Sequence, residues 1–136
     1  VASITTITVA DQEATPVNHD FEAQKVVGDT AHWNEKSASV AAGFWPLAIQ
    51  LRAPVAGSPS KVYRVKRSLT LPIVVEETIN GVTVPKVARV FRAHVEYTIP
   101  ADATEQERKN FAEVDANLSD NALWRSVVED LENVHG

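Results

Sequence analysis

Two long segments with a period of two, set on either side of an Asn-Gly pair, constrain this chain more than any other feature. In the run KVYRVKRSLTLP, Tyr63, Val65, Leu69 and Leu71 share one parity, while Arg64, Lys66, Ser68 and Thr70 share the other. Arg67 alone interrupts the apolar set. In VARVFRAHVEYTI, Val87 to Ile99, the residues Phe91, Ala93, Val95 and Tyr97 oppose Val90, Arg92, His94 and Glu96. Successive strand side chains point to opposite faces, so each segment predicts a strand with one apolar face and one polar, cationic face. Leu47, Ile49 and Leu51, alternating with Ala48, Gln50 and Arg52, predict a third strand of the same kind. Asn80-Gly81 is a two-residue turn signal, and the short connections predict an antiparallel meander.

Elsewhere the pattern is shorter. Ser3 to Val9, rich in β-branched residues, predicts a strand, and Thr15 to Glu22 a returning hairpin strand with Pro16 at an edge position. Residues 23 to 43 are less regular: Gly28 and Asp29 suggest a turn, His32 to Lys36 a short strand, and SASVAAG a connection of small residues. Pro54, Gly57 and Pro59 mark a loop, and Pro72 the end of a strand. After Pro100 the period changes. Thr104 and Glu107 have capping-box spacing, and Phe111, Val114 and Leu118 recur at helical intervals, predicting a helix from about 105 to 117. Ser119 is placed to cap a second helix with the apolar set Leu123, Trp124, Val127, Val128, Leu131 and Val134. Five or more strands followed by two helices is an α+β arrangement.

Composition narrows the function. A chain of 136 residues that is 44% hydrophobic and 23% charged predicts one globular domain. It has no cysteine, which excludes a disulfide framework, a thiolate metal cage and a thiol nucleophile. No apolar run approaches the ~20 residues of a membrane span, and VASITTITVADQ lacks the basic start and apolar core of an export signal. The net charge of −5 conceals an asymmetry. From Trp45 to Arg92 eight bases face two acids, and from Ala101 to Gly136 nine acids face three bases. The middle suits a polyanion through Lys and Arg; an ordinary solvated sheet face is the bland alternative. His94-x-Glu96 is the one pair with metal or acid/base spacing, and no further ligand accompanies it. No P-loop, GxGxxG or nucleophile elbow is present, so neither an enzyme nor a cofactor or metal is expected. Trp33, Trp45 and Trp124 read as core or dimer anchors, and His19, His32 and His135 as structural or solvated.

The ordered set of parts resembles the coat proteins of single-stranded RNA bacteriophages, the levivirus type. It comprises a strand ending in Pro72, a segment with an NGV turn and Pro85, the strand VARVFRAHVEYTIP, then ADAT and two helices. The likeness is good from about Leu47 to Leu118 and weaker before residue 45, where Ala38 to Gly43 looks like a local difference. It implies a single domain over 1–136, with a hairpin at 1–22, a five-stranded antiparallel sheet within 31–99 and dimerising helices within 104–134. It further implies an interlocked dimer with a ten-stranded sheet, a T=3 icosahedral capsid, and single-stranded genomic RNA on the inner sheet face. In several members of that family the same face binds an RNA hairpin and acts as a translational repressor. The expected setting is a virion assembled in the cytoplasm of a bacterial host, with no membrane partner.

Carried over from the Pro85 and Pro100 anchors, Lys66 and Ser68 match base-contacting positions, Gln50 and Arg52 the preceding strand, and Arg92 and His94 the last strand; Arg64 shares their face. Ala48 and Arg92 depart from the threonine and tyrosine of the best-known members, which affects hairpin recognition more than charge-driven packaging. Asn80, Gly81 and Pro85 fall in the loop that makes capsid contacts. Phe111, Val114, Leu118, Leu123, Trp124 and Val127 fall on the dimerising helices. The competing reading is a dimeric α+β module that binds a small ligand or another protein on its open sheet.

Overall fold

The computed structural model describes residues 3–57, 59 and 61–135. The ends of the hairpin and tail readings, residues 1, 2 and 136, lie outside them. Two compact units divide the chain after Thr98.

In the first unit the alternating segments form one antiparallel sheet in sequence order, β1 (Ile7–Ala10), β2 (Asn18–Val27), β3 (Thr30–Glu35), β4 (Trp45–Arg52), β5 (Val62–Ile79) and β6 (Val82–Pro100). The expected separate hairpin and five-stranded sheet are thus corrected to six strands in a single sheet. The reason lies in β2: it pairs with β1 from Asn18 to Phe21 and with β3 from Phe21 to Val27. A register shift between Ala23 and Lys25 inserts Gln24, which breaks the period of two and hides this strand in the sequence.

Pro72 does not end β5. The pairing of β4 with β5 closes at Leu47 opposite Leu69, so Pro72 lies beyond it, where a missing N–H leaves no β4 bond unmade. Pro85 likewise lies inside β6, an edge strand that needs donors on one side only. The expected capsid-contact loop is therefore an extended ribbon. Its turn is Asn80-Gly81, both at positive φ (52° and 78°), as a type I′ turn requires.

The apolar parity gathers Phe21, Trp33 and Leu47, which are buried, with Ile4, Ile7, Ala31, Trp45, Ile49 and Leu69 packed around them. Trp33 satisfies its indole N–H on the Thr5 carbonyl at 2.7 Å, tying the N-terminal segment over this face. Glu35 is buried yet satisfied: its two oxygens accept from the Ser37 N–H (2.7 Å) and hydroxyl (2.9 Å), and one faces His19 Nδ1 at 3.6 Å. His19 also meets Asp11 at 2.8 Å and lies against the Trp45 ring at 4.6 Å, so this histidine is structural. A short 3₁₀ turn at Ala41–Gly43 leads into β4.

The second unit holds α1 (Glu105–Ser119) and α2 (Ala122–Asp130). The capping box forms as expected: the Glu107 N–H donates to Thr104 Oγ1 at 3.2 Å, and Glu107 Oε1 accepts from the Thr104 N–H at 2.8 Å. That contact, first with the Thr104 backbone and then with its hydroxyl, holds the Glu107 carboxyl below its ordinary range. Ser119 does not cap α2; it is the last residue of α1, and Asn121 takes the role by accepting from the Leu123 N–H at 3.0 Å. Leu131 adopts a left-handed conformation that stops α2, so Leu131 and Val134 lie beyond the helix they were expected to join.

Candidate nucleic-acid interface

Strand register assembles the polar face directly. Thr30 pairs with Gln50, and Gln50 with Lys66, giving one row across β3, β4 and β5. His32, Ala48 and Ser68 form the next row. Arg52 stands opposite Arg64. Like charges directly opposed are unfavourable, and each is relieved by its own carboxylate. Arg52 Nε lies 3.8 Å from Asp29 Oδ2, and Arg64 donates to Glu96 at 3.1 Å.

The Arg64–Glu96 contact also fixes the side on which the last strand presents its cations. It puts Glu96, and with it His94 and Arg92, on the face of Lys66 and Ser68. A shallow depression shared by Asn34, Pro46, Thr70 and Arg92 places Arg92 there independently. Nearer the turn, Thr78 meets Thr83, residues of opposite parity, so the ribbon shifts by one residue between tip and base. Gln50, Arg52, Arg64, Lys66, Ser68, Arg92 and His94 therefore share one face. Arg67, opposite Ile49, belongs to the other.

Among the described residues Lys66, Arg92 and His94 meet no carboxylate within ion-pair distance. Lys66 is half-buried, whereas Arg92 and His94 are exposed. Glu96, the second member of the His94-x-Glu96 pair, is taken by Arg64. No group of three or more His, Asp or Glu that could hold a metal occurs among the described residues.

Asp29 is the site residue that the sequence pattern missed. It accepts from Gln50 Nε2 at 2.9 Å, and this bond, followed by Thr30 and the Arg52 charge, holds its carboxyl below the usual aspartate range against some desolvation. Its only sequence signal is the Gly28-Asp29 turn; strand register is what brings it beside Gln50. Asn34, half-buried on the same face, was equally silent.

The other candidate residues divide between the two units. Asn80 and Gly81 form the ribbon turn and Pro85 stands in β6 nearby, where Lys86 reaches Glu77 at 3.5 Å. On the helices Phe111, Val114, Leu118, Leu123 and Trp124 are all exposed, and Val127 is half-buried. Leu118, Leu123, Trp124 and Val127 line one apolar depression with Val134. No helix of the described residues is long and apolar enough to cross a membrane.

A six-stranded sheet in sequence order, cationic on one face and followed by two helices with exposed apolar sides, defines an assembling coat protein rather than an enzyme. The chain belongs to the levivirus coat protein family, whose pattern it matches over residues 2–135. It is 29% identical over 136 residues to the capsid protein of Pseudomonas phage PRR1, covering 98% of this chain and all of that one. A virus-like particle of bacteriophage ESE058 has a subunit with a TM-score of 0.90 and 29% identity, covering 98% of this chain and all of that one. The protein capsid of bacteriophage GA shares the fold, with a TM-score of 0.76 at 19% identity over 95% of this chain and 96% of that one. Its place is the phage virion, and its role there is structural.

Proposed function

We propose that this coat protein dimerises through its helices and long edge strand, assembles into an icosahedral T=3 shell, and packages single-stranded RNA against the cationic sheet face. The observation that carries the RNA assignment is the convergence of seven polar and basic side chains on one face, with Lys66 and Arg92 meeting no carboxylate among the described residues. Cations left unpaired by their own chain are available to phosphates, and their binding releases counterions from the nucleic acid. Ser68, Gln50 and His94 add hydrogen-bonding groups that can meet exposed base edges. Recognition of a particular hairpin, and repression through it, would use the same face.

Three features support the dimer. The chain exposes 10368 Å², about half as much again as the roughly 7,000 Å² expected of a folded monomer of 14.8 kDa. The apolar side chains of the helices, Trp124 at 57% exposure among them, account for part of the excess. β6 is a 19-residue edge strand whose outer amides and carbonyls invite a second copy to continue the sheet.

Expression in bacteria should yield uniform particles of megadalton mass containing nuclease-protected RNA. Lys66→Ala combined with Arg92→Ala should lower the packaged RNA and reduce the slope of log affinity against log salt by roughly two. Unchanged RNA content in that double variant would remove the assignment of this face. A clean dimer without nucleic acid at every salt concentration would favour the small-ligand or protein-binding module instead.

A further inference from the structure

We propose that His19 is a proton-dependent clasp that fastens the β1–β2 loop to the buried Glu35 of β3, closed when its imidazole carries both protons and loosened when it loses one. Two carboxylates from different elements face this one ring. Asp11, in the loop after β1, lies 2.8 Å from Nε2, and Glu35 lies 3.6 Å from Nδ1. No lysine or arginine among the described residues comes within ion-pair distance of either carboxylate. His19 is thus the group placed to balance both charges. The other neighbours are uncharged: Ser37 donates to both Glu35 oxygens, the Trp45 ring lies against the imidazole, and Val9 stands opposite His19 across the β1–β2 pair. Asp20, the next residue of β2, belongs to the opposite strand face, where it accepts from the Thr8 hydroxyl at 2.6 Å.

Burial gives the arrangement its consequence. The His19 and Glu35 side chains are 15% and 5% exposed, so water does little to replace a missing partner. A neutral imidazole has one N–H and one lone pair. Whichever nitrogen keeps the proton, the other turns its lone pair toward a carboxylate oxygen; only the imidazolium serves both sides. The clasp reaches the loop backbone through Asp11 Oδ1, which accepts from the Val17 N–H at 2.9 Å and the Glu13 N–H at 3.2 Å. The Val17 amide, followed by His19, holds the Asp11 carboxyl below its ordinary range, so Asp11 stays ionised while imidazoles change charge. In the folded chain protonation of the ring gains partners that the unfolded chain does not offer. The stabilisation is therefore present at acidic pH and lost as pH rises through the imidazole range, about pH 5 to 8.

Urea denaturation of the full-length chain at both ends of that interval, at one protein concentration, tests the clasp against His19→Gln, whose amide keeps a donor for Asp11 and does not titrate. Between the acidic and the alkaline end, the apparent folding equilibrium constant of the unmodified chain should fall about tenfold more than that of the variant. The other histidines and the carboxylates contribute alike to both chains and cancel in the comparison. Equal falls, or a steeper fall in the variant, would overturn the clasp. A second readout needs no substitution. Hydrogen exchange, corrected for the intrinsic pH dependence of amide exchange, should show the protection of residues 11–19 falling severalfold from the acidic to the alkaline end while that of residues 62–71 in β5 is retained. Unchanged protection of 11–19, or a parallel loss in both segments, would refute it.

Discussion

Gly43 is buried in the 3₁₀ turn, and its lack of a side chain is a packing requirement. A Cβ there would stand 2.7 Å from both the Ala38 Cβ and the Val74 Cγ2. Backbone and β5 must move apart to admit it, and overpacking of this kind typically costs about 1–3 kcal/mol. Gly43→Ala should therefore lower the denaturant midpoint without changing secondary-structure content, which a circular-dichroism titration would measure. The sequence showed only a run of small residues between Ser37 and Gly43, because what a glycine must avoid is set by Val74, far along the chain. The parity sets around Lys66 and Arg92, by contrast, were readable residue by residue, since alternation is local. Asp29 was not, because its partner Gln50 reaches it only through register.

Among the elements, α1 carries a cap whose sign can be worked out. The folded-state Glu107 carboxyl is lowered from an ordinary value near 4.5 by the Thr104 backbone and hydroxyl. Its contribution is present above that ordinary value and is lost as pH falls through the lowered one. Helix content should decline across that acidic interval, and Glu107→Ala should flatten the decline; an equally steep loss in the variant would remove Glu107 as its cause. Thr104→Ala, which deletes the hydroxyl acceptor, should cost about 1 kcal/mol at neutral pH, measurable by chemical denaturation. The T-x-x-E spacing announced this cap from the sequence, because both bonds close within four residues. The cap of α2 was misassigned to Ser119, since Ser and Asn are both good caps and only the extra length of α1 decides between them.

At the scale of the molecule, the buried hydrophobic core of the described residues consists of Phe21, Trp33 and Leu47, while Phe111, Leu118, Leu123 and Trp124 remain exposed. This imbalance is the physical case for a partner. Trp124→Glu places a charge on the apolar side of α2 and should abolish particles, leaving subunits that sediment more slowly than the proposed dimer. Sedimentation velocity on purified protein would decide it. Particles of normal yield would mean that this side of the helix does not hold the assembly together.

Local chemistry was enough to determine the α+β class, the direction of alternation in β4, β5 and β6, the Asn80-Gly81 turn, the start of α1 and the charge asymmetry. Each depends on spacings of a few residues, which a linear reading preserves. Tertiary structure alone decided that β1 to β6 form one sheet, that Pro72 and Pro85 stay within strands, and that Asp29 and Asn34 meet the polar face. Those outcomes depend on register between distant strands and on which backbone N–H groups have a neighbour to meet, and neither quantity exists until the chain has folded.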